Sequence, residues 1–401
     1  LKIIHTSDWH LGKTLEGNSR LDEQKKFIDE FVDIVNEKEA DLVIIAGDVY
    51  DTANPPARAE NLFCDAIKRI SKNGNRAVLI IAGNHDSPER LEAIRPLTRE
   101  QGIIILGMPK STIEKGRCGK FMIVDSGEGY IELKINGENA VIITIPYPSE
   151  KRLGEIISEE SDEKKIQKSY SCKIGEIFNK LSQKYREDTI NIMTSHIYIS
   201  GGEISDSERS IQLGGSYAVA IDSLPSKAQY IALGHLHKTQ KFNIGDTPII
   251  YSGSPIQYSK KERNNKASVY FLNIKASEAA KPERIYLSNY KPIEVWHCDS
   301  IEEAIDKCKN DGNRDIWVYL DVDCDRIITQ QEIKEMKEYR KDIIEIRPNL
   351  MGETDNDIVY ENLTERNIED VFRKFYLWRN KVEPTQEIVE LFLSIAGEGE
   401  E

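Results

Sequence analysis

Five short polar signatures hold residue types that bind divalent metal ions. They are Asp8-Trp9-His10, Gly47-Asp48-Val49-Tyr50-Asp51, Gly83-Asn84-His85-Asp86, Ser195-His196 and Gly234-His235-Leu236-His237. Five of the seven histidines lie inside them, and a sixth, His5, stands just before the first. Two divalent cations about 3.5–4 Å apart need a bridging carboxylate, with imidazoles and oxygen donors filling the remaining positions. In D-x-H and H-x-H the outer residues alternate across a strand end, so both can point into one cavity. The glycines let the backbone turn sharply and approach an ion closely. Mixed His, Asp and Asn donors suit manganese, iron or zinc better than calcium. A lone D-x-H or G-D-x-x-D is far more often an ordinary polar turn than a metal site. Gly-Asn-His-Asp is more telling, because three consecutive polar side chains after a buried strand cost desolvation unless they are paired. The ordered set points to a two-metal hydrolase.

The elements that must position these residues are legible in the hydrophobic pattern. Lys2–Ser7, Leu42–Ala46 and Ala77–Ala82 read as strands, each followed by a signature. Leu21–Asn36 and Pro56–Ile70 carry apolar residues at helical spacing. Strands alternating with helices predict a largely parallel sheet with sites at the carboxyl ends of its strands. From Phe121 the pattern changes. Ile131–Ile135 and Ala140–Ile145 flank Asn136-Gly137, a type I′ hairpin signal. A polar helix is expected over roughly Glu155–Arg186, then strands at Ile190–Ser195, Tyr230–Leu233, Ile249–Tyr251 and Ser268–Ile274. Two facing sheets with outer helices account for this count. After Lys291-Pro292 comes a small α/β unit: helix Ile301–Cys308, strand Trp317–Val322 and charged helix Thr329–Tyr339. Pro348–Asp357 reads as a linker. Two amphipathic helices follow, Thr364–Arg379 and Thr385–Ile395.

The chain has 401 residues, 54 Lys plus Arg against 68 Asp plus Glu, and a net charge of −14. That length suggests two or three domains with a core that needs no disulfides. The acidic balance argues against a protein coated in basic charge for nucleic acid, though not against a local basic groove or metal ions. Cys64, Cys118, Cys172, Cys298, Cys308 and Cys324 form no CxxC pair, so reduced and mostly buried thiols in a cytoplasmic protein are expected. No apolar run approaches the ~18 residues of a membrane span. The first residues read as a strand and not as a signal peptide. There is no G-x-x-x-x-G-K-[ST] phosphate loop.

The set D-x-H, G-D-x-x-D, G-N-H-D, a later lone His and G-H-x-H resembles the calcineurin-like metallophosphoesterase superfamily. Within it, His5-Thr6-Ser7-Asp8-Trp9-His10-Leu11-Gly12, Asp48-Val49-Tyr50-Asp51-Thr52 and Tyr230-Ile231-Ala232-Leu233-Gly234-His235 resemble the SbcD family, the nuclease components of the bacterial SbcCD complex. The resemblance implies an α/β fold, a two-sheet metallophosphoesterase sandwich flanked by helices, with a small α/β cap domain and a C-terminal helix pair. Residues 1–288 would form the nuclease domain, 289–347 a cap that recognises DNA, and 348–401 a linker and helix pair that bind SbcC. One ion would be held by Asp8, His10, Asp48 and His237, and the other by Asp48, Asn84, His196 and His235. His85 matches the family's histidine beside the leaving group. The resemblance further implies a homodimer with two manganese ions per chain. Its activities would be double-strand exonuclease and hairpin-opening endonuclease, in DNA repair, recombination and replication. Archaeal relatives carry a histidine where this chain has Asp51.

The ions lower the pKa of a water and neutralise phosphate charge. The expected reaction is attack on a DNA phosphorus in line with the leaving 3′ oxygen, which His85 would protonate or hydrogen-bond, oriented by Asp86. Lys13, Asn18, Arg20, Asn54 and Arg58 follow the metal loops and are candidate phosphate contacts. Lys260, Lys261, Arg263 and Lys266 form a basic run that is either a further contact or a solvated surface. His5 supports the site from behind or sits in the core; His297 is structural. Leu62, Phe63, Leu91 and Ile94, on Pro56–Ile70 and an expected helix Pro88–Leu97, put apolar residues on more than one face and could meet a two-fold mate. Phe372, Phe375, Leu391 and Phe392 either fold back on the cap or, as the resemblance implies, dock on the coiled coil of the SbcC ATPase. Two other enzyme classes share the motifs. Phosphoprotein phosphatases place Arg-Gly after G-D-x-x-D, where this chain has Thr52-Ala53. A small-molecule phosphodiesterase has no need of the units after Lys291.

Overall fold

The computed structural model describes residues 1–155, 157, 162–203, 217–311, 314–350, 369, 372, 373, 376 and 384–397. Leu1–Asn349 form one compact unit and Leu350–Glu401 a second. The first is built on two facing sheets. The six-stranded sheet runs in the order Glu283–Tyr286, Ser268–Asn273, Lys2–Thr6, Leu42–Ala46, Ala77–Ile81 and Ile103–Leu106. Its last four strands are mutually parallel. The eight-stranded sheet has a parallel centre made of Thr247–Tyr251, Tyr230–Gly234, Ile190–His196 and Glu138–Ile145, with antiparallel strands on both flanks.

Period-two alternation explains the layering. Ile3, Leu42, Ile44, Leu79, Ile81 and Ile104 face inward and meet Leu133, Ile142, Ile192, Tyr230, Ala232 and Ile250 of the other sheet. Ile4, Val43, Ile45, Val78 and Ile80 face outward, where helices Leu21–Glu37 and Ala57–Ser71 cover them with Phe27, Phe31, Val35, Phe63, Ile67 and Ile70. On the far side, helix Glu163–Ser182 lays Tyr170, Ile174 and Phe178 over Ile143, Met193, Ile231 and Leu233. Each large apolar side chain buried here contributes about 1.5–3 kcal/mol. That core stabilises a scaffold whose strand ends can hold strained loops.

Asn136 and Gly137 take φ of 51° and 90°, as the expected hairpin turn requires. The helix expected over Glu155–Arg186 is shorter, Glu163–Ser182, and starts where the Asp162 side chain accepts from the Lys165 N–H. The expected helix Pro88–Leu97 divides into Pro88–Glu92 and Arg95–Thr98. Phe63 and Leu91 are buried in the chain's own core, and Leu62 and Ile94 pack against it. The outward apolar residue on these turns is Leu97, 80% exposed.

The small unit has three strands, Ile293–Cys298, Trp317–Cys324 and Ile343–Leu350, with helices Ile301–Asn310 and Gln330–Tyr339. Pro348 therefore lies in a strand and not in a linker. A Thr329–Glu332 capping box starts the second helix. This small unit packs against the Thr14–Leu15 and Asn18–Ser19 hairpin through Ile293, Trp317 and Tyr319, which meet Leu15. The Trp317 indole N–H also donates to Glu23 Oε1 at 2.9 Å.

In the second unit, Glu369, Phe372, Arg373 and Tyr376 are helical and Gln386–Gly397 is a helix. The Phe372 and Phe392 rings stack at 4.0 Å between centroids and 6° between planes. These two expected partner contacts thus hold the helix pair together, while Leu391 is 61% exposed. Phe375 lies outside the described residues. Cys64 and Cys172 are exposed, the other four cysteines are buried, and all six are free thiols. Among the described residues no helix is long and apolar enough to cross a membrane.

Candidate metal centre

Every signature emerges at the carboxyl end of a parallel strand, where open α/β sheets form their sites. Lys2–Thr6 delivers Asp8 and His10, Leu42–Ala46 delivers Asp48, and Ala77–Ile81 delivers Asn84 and His85. From the facing sheet, Ile190–His196 ends on His196 and Tyr230–Gly234 delivers His235 and His237. Asp8, His10, Asp48 and His235 all take positive φ, at 55°, 43°, 49° and 106°. Such non-glycine conformations each cost of order 1–3 kcal/mol and concentrate at functional sites. Gly83 and Gly234 approach their neighbours too closely for any side chain: a Cβ on Gly83 would lie 2.1 Å from Asp48 Oδ1, and one on Gly234 2.0 Å from the Ala46 carbonyl oxygen.

The seven expected ligands converge. Asp8, His10 and His237 place ligand atoms within 4.8 Å of one another, and so do Asp8, Asp48 and His196. His10 Nε2 and His237 Nε2 are 2.9 Å apart, two nitrogens aimed at one point. Asp48 Oδ2 lies 3.6 Å from His10 Nε2 and 3.4 Å from His196 Nε2. Asn84 Oδ1 lies 2.9 Å from His196 Nε2 and 3.0 Å from His235 Nδ1. The imidazoles are held from behind. His196 Nδ1 faces the Ala46 carbonyl at 2.8 Å, and His237 Nδ1 faces Glu262 Oε1 at 3.2 Å. Asp8 accepts from the Ser7 hydroxyl at 2.5 Å and from the His235 N–H at 3.0 Å. Four imidazoles, two carboxylates and an amide oxygen, all turned toward one another, are the donor set of a borderline divalent metal.

The electrostatics fit this reading. Burial pushes the Asp8 carboxyl up to about 6 and holds the His10 and His235 imidazoles down at about 3, in the neutral form a metal requires. Burial also opposes charge on Asp48, but His196, His85 and His10 around it outweigh that and hold it well below the usual carboxylate range. Burial would lower His196 as well, yet the adjacent Asp48 raises it to about 9.

Residues 1–239 match the family described as calcineurin-like phosphoesterase. Residues 289–378 match a second family, described as type 5 capsule protein repressor C-terminal domain. The SbcD component of nuclease SbcCD from Bacillus subtilis (strain 168) is 38% identical over 403 residues, covering 100% of this chain and 99% of that one. This chain belongs to the SbcD family of calcineurin-like phosphoesterases. The SbcD component of nuclease SbcCD from Staphylococcus epidermidis is 29% identical over 316 residues, covering 78% of this chain and 77% of its own. As a family member the chain is a phosphoester hydrolase, and the His/Asp cluster is its divalent-metal site.

Around the ligands the structure rearranges several expected roles. His85 is buried, its N–H donates to Asp48 Oδ1 at 2.8 Å, and its Nδ1 lies 2.6 Å from the Asp51 carbonyl. The Asp86 carboxylate is taken up by the N–H groups of Gly83, Val49 and Tyr50, at 2.8, 3.2 and 2.9 Å. The ring of His85 is therefore oriented by the Asp51 main chain, and Asp86 ties two metal loops together. The Asp51 side chain lies 3.5 Å from His10 Nδ1 and accepts from Lys13 Nζ at 2.8 Å.

Arg20 is not a phosphate contact. It is 1% exposed, forks onto Glu23 and donates to the Gln257 carbonyl at 2.5 Å. Asn18 bonds the Leu15 carbonyl in a small hairpin, Asn54 accepts from Arg90, and Arg58 is exposed. His5 sits in the core with Nδ1 2.9 Å from the Tyr230 hydroxyl, and burial lowers it to about 3. His297 is on the cap surface, 3.6 Å from Asp321. The sequence gives no sign of Glu262: it hides within the basic run Lys260–Lys266 and is 1% exposed.

Proposed function

We propose that this chain is a metal-dependent DNA nuclease that acts with the SbcC ATPase on double-strand-break ends in repair, recombination and replication. The carrying observation is Asp48, one carboxylate oxygen lying 3.6 Å from His10 Nε2 and 3.4 Å from His196 Nε2, between two ligand groups. Two manganese ions fit that arrangement. Asp8, His10, Asp48 and His237 would hold one, and Asp48, Asn84, His196 and His235 the other. When bound, the ions lower the pKa of water and neutralise phosphate charge. The protein's own groups do the rest. His85, with Nδ1 pinned on the Asp51 carbonyl, presents its other nitrogen to the leaving 3′ oxygen and donates a proton or hydrogen bond there. Asp86 holds the Asp48 and His85 loops in register. Lys13, Asn18, Asn54 and Arg58 grip phosphates without reading bases.

The relatives are named as parts of an SbcCD nuclease, which supports SbcC as the partner. The C-terminal helix pair is its docking element, with Leu391 exposed for the contact. Residues 289–347 are the cap over the DNA site, and the functional form is a cytoplasmic homodimer. Activity is double-strand exonuclease and hairpin endonuclease. The test is side-by-side hydrolysis of hairpin DNA, a cyclic nucleotide and a phosphopeptide by purified protein with manganese. Cleavage of the hairpin DNA alone supports this reading. Turnover of the phosphopeptide or cyclic nucleotide without DNA cleavage would replace it with a phosphatase or a small-molecule phosphodiesterase.

A further inference from the structure

Glu262 lies in a single helical turn, Lys260–Asn264, whose sequence Lys-Lys-Glu-Arg-Asn reads as a solvated basic surface. The basic residues Lys261 and Arg263 are exposed, yet Glu262 points inward and is 1% exposed. Taking a carboxylate out of water costs several kcal/mol unless partners compensate. Two of its partners lead to the metal site. Oε1 lies 3.2 Å from His237 Nδ1, and Oε2 accepts the Tyr258 N–H at 2.7 Å. Tyr258 in turn donates its hydroxyl to the Trp9 carbonyl, between Asp8 and His10. Its ring stands edge-on to His10 at 5.6 Å and to His237 at 6.0 Å.

We propose that Glu262 is a positioning residue: it fixes the proton of His237 on Nδ1, aims Nε2 at the ion shared with His10, and braces both imidazoles through Tyr258. This rests on the two-ion reading of the site given above. A carboxylate behind a ligating imidazole sets its tautomer, limits its rotation and raises its basicity, and losing one typically costs 10–100-fold in metal affinity. The turn is itself rigidly supported. Lys260 reaches Asp321 of the cap at 3.4 Å and lies over the Tyr319 ring, and the Gln257 side chain accepts from the Ile293 N–H at 3.3 Å. A site held on such a frame keeps its ligand angles.

The experiment is a calorimetric titration of the full chain with manganese(II), comparing wild type, Glu262→Ala and Glu262→Gln, with circular dichroism to check folding. Gln cannot satisfy both contacts, since its amide NH2, a donor, would replace one of the two carboxylate oxygens and face either the His237 Nδ1–H or the Tyr258 N–H. The expected result is that wild type binds two equivalents. Both variants should weaken one equivalent, by 10–100-fold for Ala and about 10-fold for Gln, and leave the other within a few fold. Should the Ala variant fail to fold, the Gln variant decides. Two unweakened equivalents in a folded variant, or equal weakening of both, overturn the role given to Glu262. Failure of wild type to bind two equivalents overturns the two-ion reading instead, so the two failures are distinguishable.

Discussion

Gly83→Ala puts one methyl group where the fold leaves no room. The added Cβ would stand 2.1 Å from Asp48 Oδ1 and 2.3 Å from Asp48 N, against about 3.4 Å for ordinary contact. The neighbour on that side is a backbone nitrogen and a carboxylate bound to the His85 N–H, so it cannot swing away freely. Asp48 or the Asn84–His85 loop must shift by roughly 1 Å. A misplacement of that size costs on the order of 100-fold in rate when it touches the reacting geometry. The outer layers of the sandwich are untouched, so the variant should fold, with a modest loss of thermal stability. The assay is manganese-dependent cleavage of hairpin DNA alongside manganese titration. Cleavage should fall about 100-fold and manganese should bind more weakly. Wild-type rate and affinity in Gly83→Ala would refute the claim that the Asp48 position tolerates no side chain at Gly83.

His85→Ala should abolish cleavage and retain bound manganese, because the main-chain N–H that holds Asp48 survives, whereas Asp48→Ala should lose manganese; a metal count of the two purified variants checks both. His5 is held neutral to about pH 3 in the fold against 6.5 ordinarily, so the unfolded chain takes up a proton first and stability drops as pH falls below 6.5. At pH 5 the penalty is about 2 kcal/mol, so urea unfolding of His5→Gln should lose about that much less than wild type between pH 7 and 5; identical losses would contradict it. Ending the chain at Asp357 should preserve manganese-dependent cleavage and abolish co-purification with SbcC; full-stoichiometry co-purification would remove the helix pair from that role.

The site was legible because its ligands are local. Asp8, His10, Asp48, Asn84, His196, His235 and His237, and His85 beside them, each sit within a few residues of a strong apolar strand, and a strand end dictates where they point. The parts that escaped depend on distant partners. Arg20 looks like a phosphate contact beside the first motif, but Glu23 and Gln257, the latter more than two hundred residues away, bury it. Asp86 stands next to His85 in sequence, yet its oxygens are captured by the loop at Val49 and Tyr50. Glu262 is masked by the lysines around it, and only the fold brings it to His237. Short strands such as Gly116–Cys118 and Glu283–Tyr286 escaped for another reason: they lie at sheet edges and carry few apolar residues.

The central claim is that one carboxylate, Asp48, joins two ions in one site. Electron paramagnetic resonance of the manganese-loaded chain tests it directly, since a shared bridging carboxylate couples the two spins. The account predicts two manganese ions per chain with the spectrum of an exchange-coupled pair, lost in Asp48→Ala. One manganese per chain, or two with independent single-ion spectra, would contradict it.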